Sequence, residues 1–174
     1  MTILIQFIHP YPLRSRINRA LLEAVLDLPD VRVNDLYARY PNLYVDVERE
    51  QGLLRSANLL VFQHPLYWYS GPSLLKEWID VVLEQGFAYG AGGTALHGKA
   101  WLHSVTTGMP EEAYSPQGII QSTMAELLKP FERTAGFCGM QWLDPLVFHD
   151  AHEADEARIA RHGEAFRALL EAYR

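Results

Sequence analysis

The sequence predicts a doubly wound α/β domain spanning residues 1–174. Three observations carry that expectation. Five runs of strand character alternate along the chain with five of helical periodicity. The inner strand runs are apolar at nearly every position, as parallel strands covered on both faces are. No linker, internal repeat or low-complexity tract divides the alternation.

Residues 2–8, TILIQFI, are apolar and rich in β-branched side chains, and they stop at His9-Pro10-Tyr11-Pro12, where proline cannot donate to a sheet ladder. Ser15 is then a candidate N-cap for a helix carrying Ile17, Leu21, Ala24, Val25 and Leu28, ended by Pro29. Residues 31–36, VRVNDL, alternate as a strand near a sheet edge does. After the loop at Tyr40-Pro41-Asn42, Asp46 is placed to cap a helix with Leu53 and Leu54. A near-continuous strand at 58–63 enters the Pro65–Pro72 loop. The helix after it shows the clearest stripe, Leu74, Leu75, Trp78, Ile79 and Val82. Gly86 to Gly93 is a glycine- and tyrosine-rich excursion. Residues 99–107 return as a strand, and a helix is expected over 118–134, kinked or ended by Pro130. A last strand at 141–148, weakened by Pro145, precedes a terminal helix presenting Ile159, Phe166, Leu169, Leu170 and Tyr173.

Composition narrows the function classes. With 49% hydrophobic and 21% charged residues, the chain is not disordered. Fifteen basic against twenty-one acidic side chains leave a net charge of −6, with no basic cluster of the kind a nucleic-acid binder carries. The single cysteine, Cys138, excludes an internal disulfide framework and a multi-cysteine zinc site, and reads as inert core or interface. No apolar run approaches the roughly 18 residues of a membrane span, and no basic segment precedes the first apolar stretch as in a secretory signal. The expectation is a cytoplasmic enzyme or carrier.

Ligands of such a sheet bind beyond the carboxyl ends of the strands, at the switch point in strand order. The loops after the first, third and fourth strands are therefore the ones to inspect. The first lacks both GxGxxG and GK[ST], but offers the Ser15 hydroxyl, helix-start amides and Asn18, which suit a phosphate monoester. The second is Gln63 to Pro72, with Tyr67, Trp68 and Tyr69 consecutive. Those aromatics suit a flat heteroaromatic ring or a subunit interface. The third, Thr106-Thr107-Gly108-Met109 with Tyr114 following, could surround the polar edge of such a ring. His149 and His152 with Asp150 and Glu153 lack a third ligand, so no metal site is expected. Ser15 has no G-x-S-x-G elbow to make it a hydrolytic nucleophile.

Taken together, these strings resemble the flavodoxin-like NAD(P)H quinone oxidoreductases, the DT-diaphorase-like family. The resemblance is nearest to the ancillary proteins of glutathione-regulated potassium-efflux systems. It runs over nearly the whole chain: His9-Pro10 with Ser15 and Asn18, HPLYWYSGPSLLKEWID, GFAYG followed by GTALHGK, TTG followed by Tyr114, and FCGMQWLDP. The fold it implies is a flavodoxin-like five-stranded parallel sheet with helices on both faces.

The resemblance also implies a bound flavin. FMN is favoured over FAD because the chain lacks the long C-terminal extension of DT-diaphorase-like members. By carry-over, His9, Ser15, Arg16, Ile17 and Asn18 hold the phosphate end. Pro65, Leu66, Tyr67, Trp68 and Tyr69 lie along the ring, and Thr106, Thr107, Gly108 and Met109 line its far edge. Tyr114 is the catalytic candidate, a fixed donor toward charge that appears on reduction. The implied reaction is ping-pong two-electron transfer from NAD(P)H to a quinone, in a homodimer. Two departures stand out: Met109 replaces a second glycine, and Ile120 replaces a histidine six residues after the tyrosine. A second reading is a regulatory subunit, peripheral to the inner membrane, docked on a potassium/proton antiporter.

Overall fold

A computed structural model describes residues 1–173. Five parallel strands alternate with helices, and the order across the sheet is β2-β1-β3-β4-β5, with β6 continuing beside β4. The strands are β1 (Ile3–Phe7), β2 (Val31–Asp35), β3 (Leu59–Pro65), β4 (Ala100–Thr106), β5 (Gln141–Trp142) and β6 (Leu146–Phe148). The helices are α1 (Arg16–Glu23), α2 (Leu36–Arg39), α3 (Val47–Ser56), α4 (Ser73–Val82), α5 (Met124–Phe137) and α6 (Glu156–Ala172). The flavodoxin-like fold class read from the sequence is the one observed.

Alternation along each inner strand builds two cores. Leu4, Leu60, Phe62, Trp101 and Val105 face α3, α4 and α5, where Leu54, Trp78 and Phe131 meet them. Ile3, Ile5, Leu59, Val61 and Leu102 face α1 and α6, against Ile17, Leu21, Phe166 and Leu170. The edge strand β2 buries only Asn34 fully, consistent with its alternating sequence.

A buried carboxylate ties the first face together. Glu50 of α3 accepts from Gln6 Nε2 at 3.0 Å, Tyr40 Oη at 2.7 Å, Trp78 Nε1 at 2.9 Å, Arg49 at 2.5 Å and Asn34 Nδ2 at 2.9 Å. These donors come from β1, β2, α3, α4 and the residue after α2, so one side chain fixes how five segments meet. Burial, and then the bond to Glu50, push the Tyr40 phenol up to about 12.

Several boundaries differ from the sequence reading for identifiable reasons. Ser15 precedes α1, but its hydroxyl makes no capping bond; it accepts from Asn18 instead. The helix ends at Glu23, and Val25 and Leu28 are buried in the turns beyond it. Asp46 does cap α3, accepting from Arg49 N at 3.0 Å. The helix expected from residue 118 begins at Met124. Gln121 has φ 55°, and Thr123 and Glu126 form a reciprocal capping box there. Pro130 does not end α5: burial of Leu128, Phe131 and Ala135 offsets a cost of about 3 kcal/mol. Pro145 splits the last strand into β5 and β6, both paired with β4. The single-turn α2, capped by Asp35 through Ala38 N at 3.0 Å, was not anticipated.

Candidate functional site

The direction of winding reverses between β1 and β3, and the cleft lies beyond their carboxyl ends together with that of β4. It encloses about 450 Å³. Of the predicted residues, His9, Ser15, Arg16, Ile17, Asn18, Pro65, Leu66, Tyr67, Thr106, Thr107 and Gly108 line it.

The floor is organised by one amide. Asn18 is buried, and its Nδ2 donates to Ser15 Oγ at 3.0 Å and to Thr106 Oγ1 at 2.9 Å. Both hydroxyls thus accept from Asn18, which leaves the proton of each free to donate elsewhere. The first intrahelical bond of α1 joins Arg19 N to Ser15 O, so the amides of Arg16, Ile17 and Asn18 lie ahead of it without helical acceptors. Two hydroxyl donors and three helix-start amides converge on one end of the cleft. That donor set fits a phosphate monoester.

The neighbouring groups extend this end. His9 Nδ1 accepts from Tyr11 N at 3.0 Å, so its proton is on Nε2. Burial is the main cause that lowers its pKa, keeping the ring neutral. The Arg14 guanidinium lies 5.9 Å over the Tyr11 ring and borders the cleft, a cation beside the anion-binding end. Arg16 instead turns its side chain to Ala154 O and to Glu156, 3.4 Å away, so its backbone amide is the part offered to the cleft.

The opposite end is flatter. Leu66 N donates to Thr106 O at 2.8 Å, which joins the second loop to the third. Tyr67 and Ser70 then close a tight hairpin by exchanging both backbone bonds. Its two central residues, Trp68 and Tyr69, have φ of 48° and 65°. Side chains there are strained, since left-handed backbone costs roughly 1–2 kcal/mol per residue outside glycine. Trp68 is 91% exposed and Tyr69 52%, and neither lines the cleft.

Gly108 allows a close approach: a Cβ there would lie 3.1 Å from His152 Nε2. Met109, 39% exposed, does not line the cleft; its carbonyl accepts from Thr107 Oγ1 at 2.9 Å and from Asp150 N at 2.9 Å. Tyr114 borders a second cavity of about 450 Å³ with Glu111, Met124 and His149. Its ring centroid is 5.3 Å from that of His149. Thr107 Oγ1 gives its proton to Met109, so it accepts from His149 Nδ1 at 3.1 Å. His149 thereby links Tyr114 to the cleft wall. Ile120 lies on a turn, its amide bonded to Ala113 O at 3.1 Å.

Sequence reasoning missed Tyr11, Arg14, Ala151 and His152, which also line the cleft. Ala151 and His152 arrive from the loop after β6, held by Ala151 N to Thr107 O at 2.9 Å. The signal was present: that loop too follows an expected strand, the one at 141–148. Among the described residues, no group of three or more His, Cys, Asp or Glu side chains is placed to hold a metal ion.

A family model described as flavodoxin-like fold matches residues 1–170. The glutathione-regulated potassium-efflux system ancillary protein KefG of Cronobacter sakazakii is 46% identical over 168 residues, 97% of this chain and 91% of that protein. Among solved structures, general stress protein 14 of Treponema denticola, in complex with FMN, has a TM-score of 0.95 at 36% identity over 100% of both chains. The NADPH-quinone reductase of P. pentosaceus has a TM-score of 0.90 at 31% identity, covering 97% of each chain.

Proposed function

The chain belongs to the flavodoxin-like family, and from that premise we propose that it is an FMN-dependent NAD(P)H:quinone oxidoreductase, a single domain acting as a homodimer. The observation that carries this reading is the Asn18 bridge, which leaves the protons of two buried hydroxyls available beside the free amides of a helix start, a donor set for one anionic group. FMN bound there would supply a two-electron redox centre for hydride transfer from NAD(P)H to a quinone.

The chain's own residues do the rest. Ser15, Thr106 and the amides of Arg16 to Asn18 bind the phosphate, with Arg14 and the Nε2–H of His9 nearby. Pro65, Leu66 and Tyr67 lie along the ring, exposed Trp68 and Tyr69 flank its open side, and Thr107 and Gly108 form its far edge. Tyr114, outside the cleft lining, is connected to it by its ring contact with His149 and the His149–Thr107 bond, and by that route stabilises charge on the reduced ring. Similarity to an FMN complex over the whole chain supports FMN rather than FAD.

A second reading rests on a separate observation, the 46% identity to a potassium-efflux ancillary protein. In it the flavin-loaded chain docks on a potassium/proton antiporter at the cytoplasmic face of the inner membrane and turns over little. No described helix is long and apolar enough to cross a membrane.

The deciding measurement is the visible spectrum of the purified protein with stoichiometric FMN, before and after anaerobic NADH or NADPH. Bleaching, with recovery on adding a quinone, supports the enzyme. A bound flavin that stays oxidised, with one-to-one capture by a cation/proton antiporter, moves the regulatory reading to first place. Absence of flavin binding removes the enzyme and moves a flavin-free regulatory reading to first place.

A further inference from the structure

Two histidines beneath the cleft are unused by the reading above. His64 of β3 and His103 of β4 are fully buried on the α4–α5 side of the sheet, among Phe62, Trp101, Phe131 and Trp142. His64 Nε2 and His103 Nδ1 are 2.8 Å apart. His64 Nδ1 is 2.9 Å from the carbonyl oxygen of Pro65.

The proton positions follow from valence. A carbonyl oxygen only accepts, so His64 Nδ1 carries the proton and its Nε2 is a lone pair. That lone pair needs a donor, so His103 Nδ1 carries a proton as well. The bonds run in one direction, from His103 to His64 to Pro65. Burial keeps both rings neutral: it lowers His64 to about 4, and it lowers His103, facing His64, well below the usual imidazole range. His103 Nε2 is then a buried acceptor with no hydrogen-bond partner, an expensive arrangement where two apolar side chains would pack without cost.

What the chain of bonds acts on is the Pro65–Leu66 peptide. Pro65 is the last residue of β3, and the backbone then enters the strained hairpin at Trp68 and Tyr69. The oxygen of this peptide is held by His64 and its N–H by Thr106 O at 2.8 Å. Pro65 and Leu66 both line the cleft, and Thr106 is in turn held by Asn18. The peptide plane is fixed at both ends, by partners from two directions.

We propose that His64 is a positioning residue for the cofactor cleft and that His103 fixes its tautomer, together locking the Pro65–Leu66 peptide plane against which the bound ring lies. The ring-binding part of this rests on the FMN reading; the tautomer and peptide-locking parts do not.

The test compares wild type with His103→Phe and His103→Gln. Phenylalanine removes the donor to His64, whereas the glutamine amide can supply one. Imidazole nitrogen NMR of the flavin-free protein should show the Nδ1–H form at both histidines in wild type. In His103→Phe, His64 should populate the other tautomer and exchange of the Leu66 amide proton should quicken by about tenfold, the protection factor falling tenfold per 1.4 kcal/mol. The FMN dissociation constant should rise by about tenfold in that variant. His103→Gln should restore all three readouts to within about threefold of wild type. An Nε2–H proton on wild-type His64, or Leu66 exchange unchanged in His103→Phe while its unfolding midpoint falls, overturns the proposal. If wild type binds no FMN, the cofactor reading fails alone, and the tautomer and exchange results still decide the positioning role.

Discussion

The Asn18 amide reaches across 88 residues of sequence to donate to Thr106 Oγ1 at 2.9 Å, and the same nitrogen donates to Ser15 Oγ at 3.0 Å. One short side chain therefore occupies an acceptor site on two hydroxyls, one just before α1 and one at the end of β4, and leaves both protons available to a ligand. In Asn18→Leu, a change of similar volume, both hydroxyls become free to turn away. The FMN dissociation constant should rise by about tenfold, or 1.4 kcal/mol, as flavin fluorescence titration reads it. An unchanged constant in a folded variant would remove this bridge from phosphate binding.

Trp68 and Tyr69 occupy the two positive-φ positions of a two-residue hairpin, where Asn-Gly is the least strained pair. Trp68 buries almost nothing in return. Replacing the pair by Asn-Gly should therefore stabilise the fold by about 1–3 kcal/mol in urea unfolding, since strain is relieved and little packing is lost. The same variant should raise the KM for a quinone, because the aromatic pair flanking the ring's open side is gone. A destabilised variant would show that the strain assigned to this hairpin is absent.

Tyr114 stands off the cleft lining, joined to it through His149 and Thr107. Tyr114→Phe keeps the ring against His149 and deletes only the hydroxyl. Stopped-flow reduction by NADPH should slow by at least about tenfold while the FMN dissociation constant stays put, as loss of one charge-stabilising donor does. Equal reduction rates would take Tyr114 out of its proposed role.

The sheet was legible because its signals are local. The runs at 2–8, 58–63 and 99–107 carry enough apolar density to be read as covered strands, and β1, β3 and β4 form there. The three loops could be named because strand ends position ligands in this architecture. What escaped was relational. Nothing in the string Ser15–Asn18 says that the Asn18 amide will bridge Ser15 to Thr106. His149 comes beside Tyr114 only because β6 pairs with β4, after Pro145 has already broken the strand. The start of α5 was misplaced because apolar spacing continues upstream through Ile120, while the capping box at Thr123 and Glu126 sets the boundary.

The buried histidines make stability depend on pH with a definite sign. His64 titrates at about 4 in the folded protein against an ordinary value of 6.5. Above pH 6.5 neither state binds the proton, and the neutral ring contributes its full share. Between 6.5 and about 4 the unfolded chain takes up a proton that the folded one refuses, so stability falls as pH falls; below that the loss levels off. The gap is worth on the order of 3 kcal/mol for His64, and burial of His103 acts in the same direction. Set against the roughly 5–15 kcal/mol that holds a domain together, that is a large fraction. Urea unfolding at pH 7.5, 6.0 and 4.5 should show the decline. His103→Gln should flatten it, since one of the two refused protons is no longer at stake. A slope identical to wild type in that variant would place the acid sensitivity in the other histidines instead, His9, His149 and His162, whose pKa values are lowered chiefly by burial.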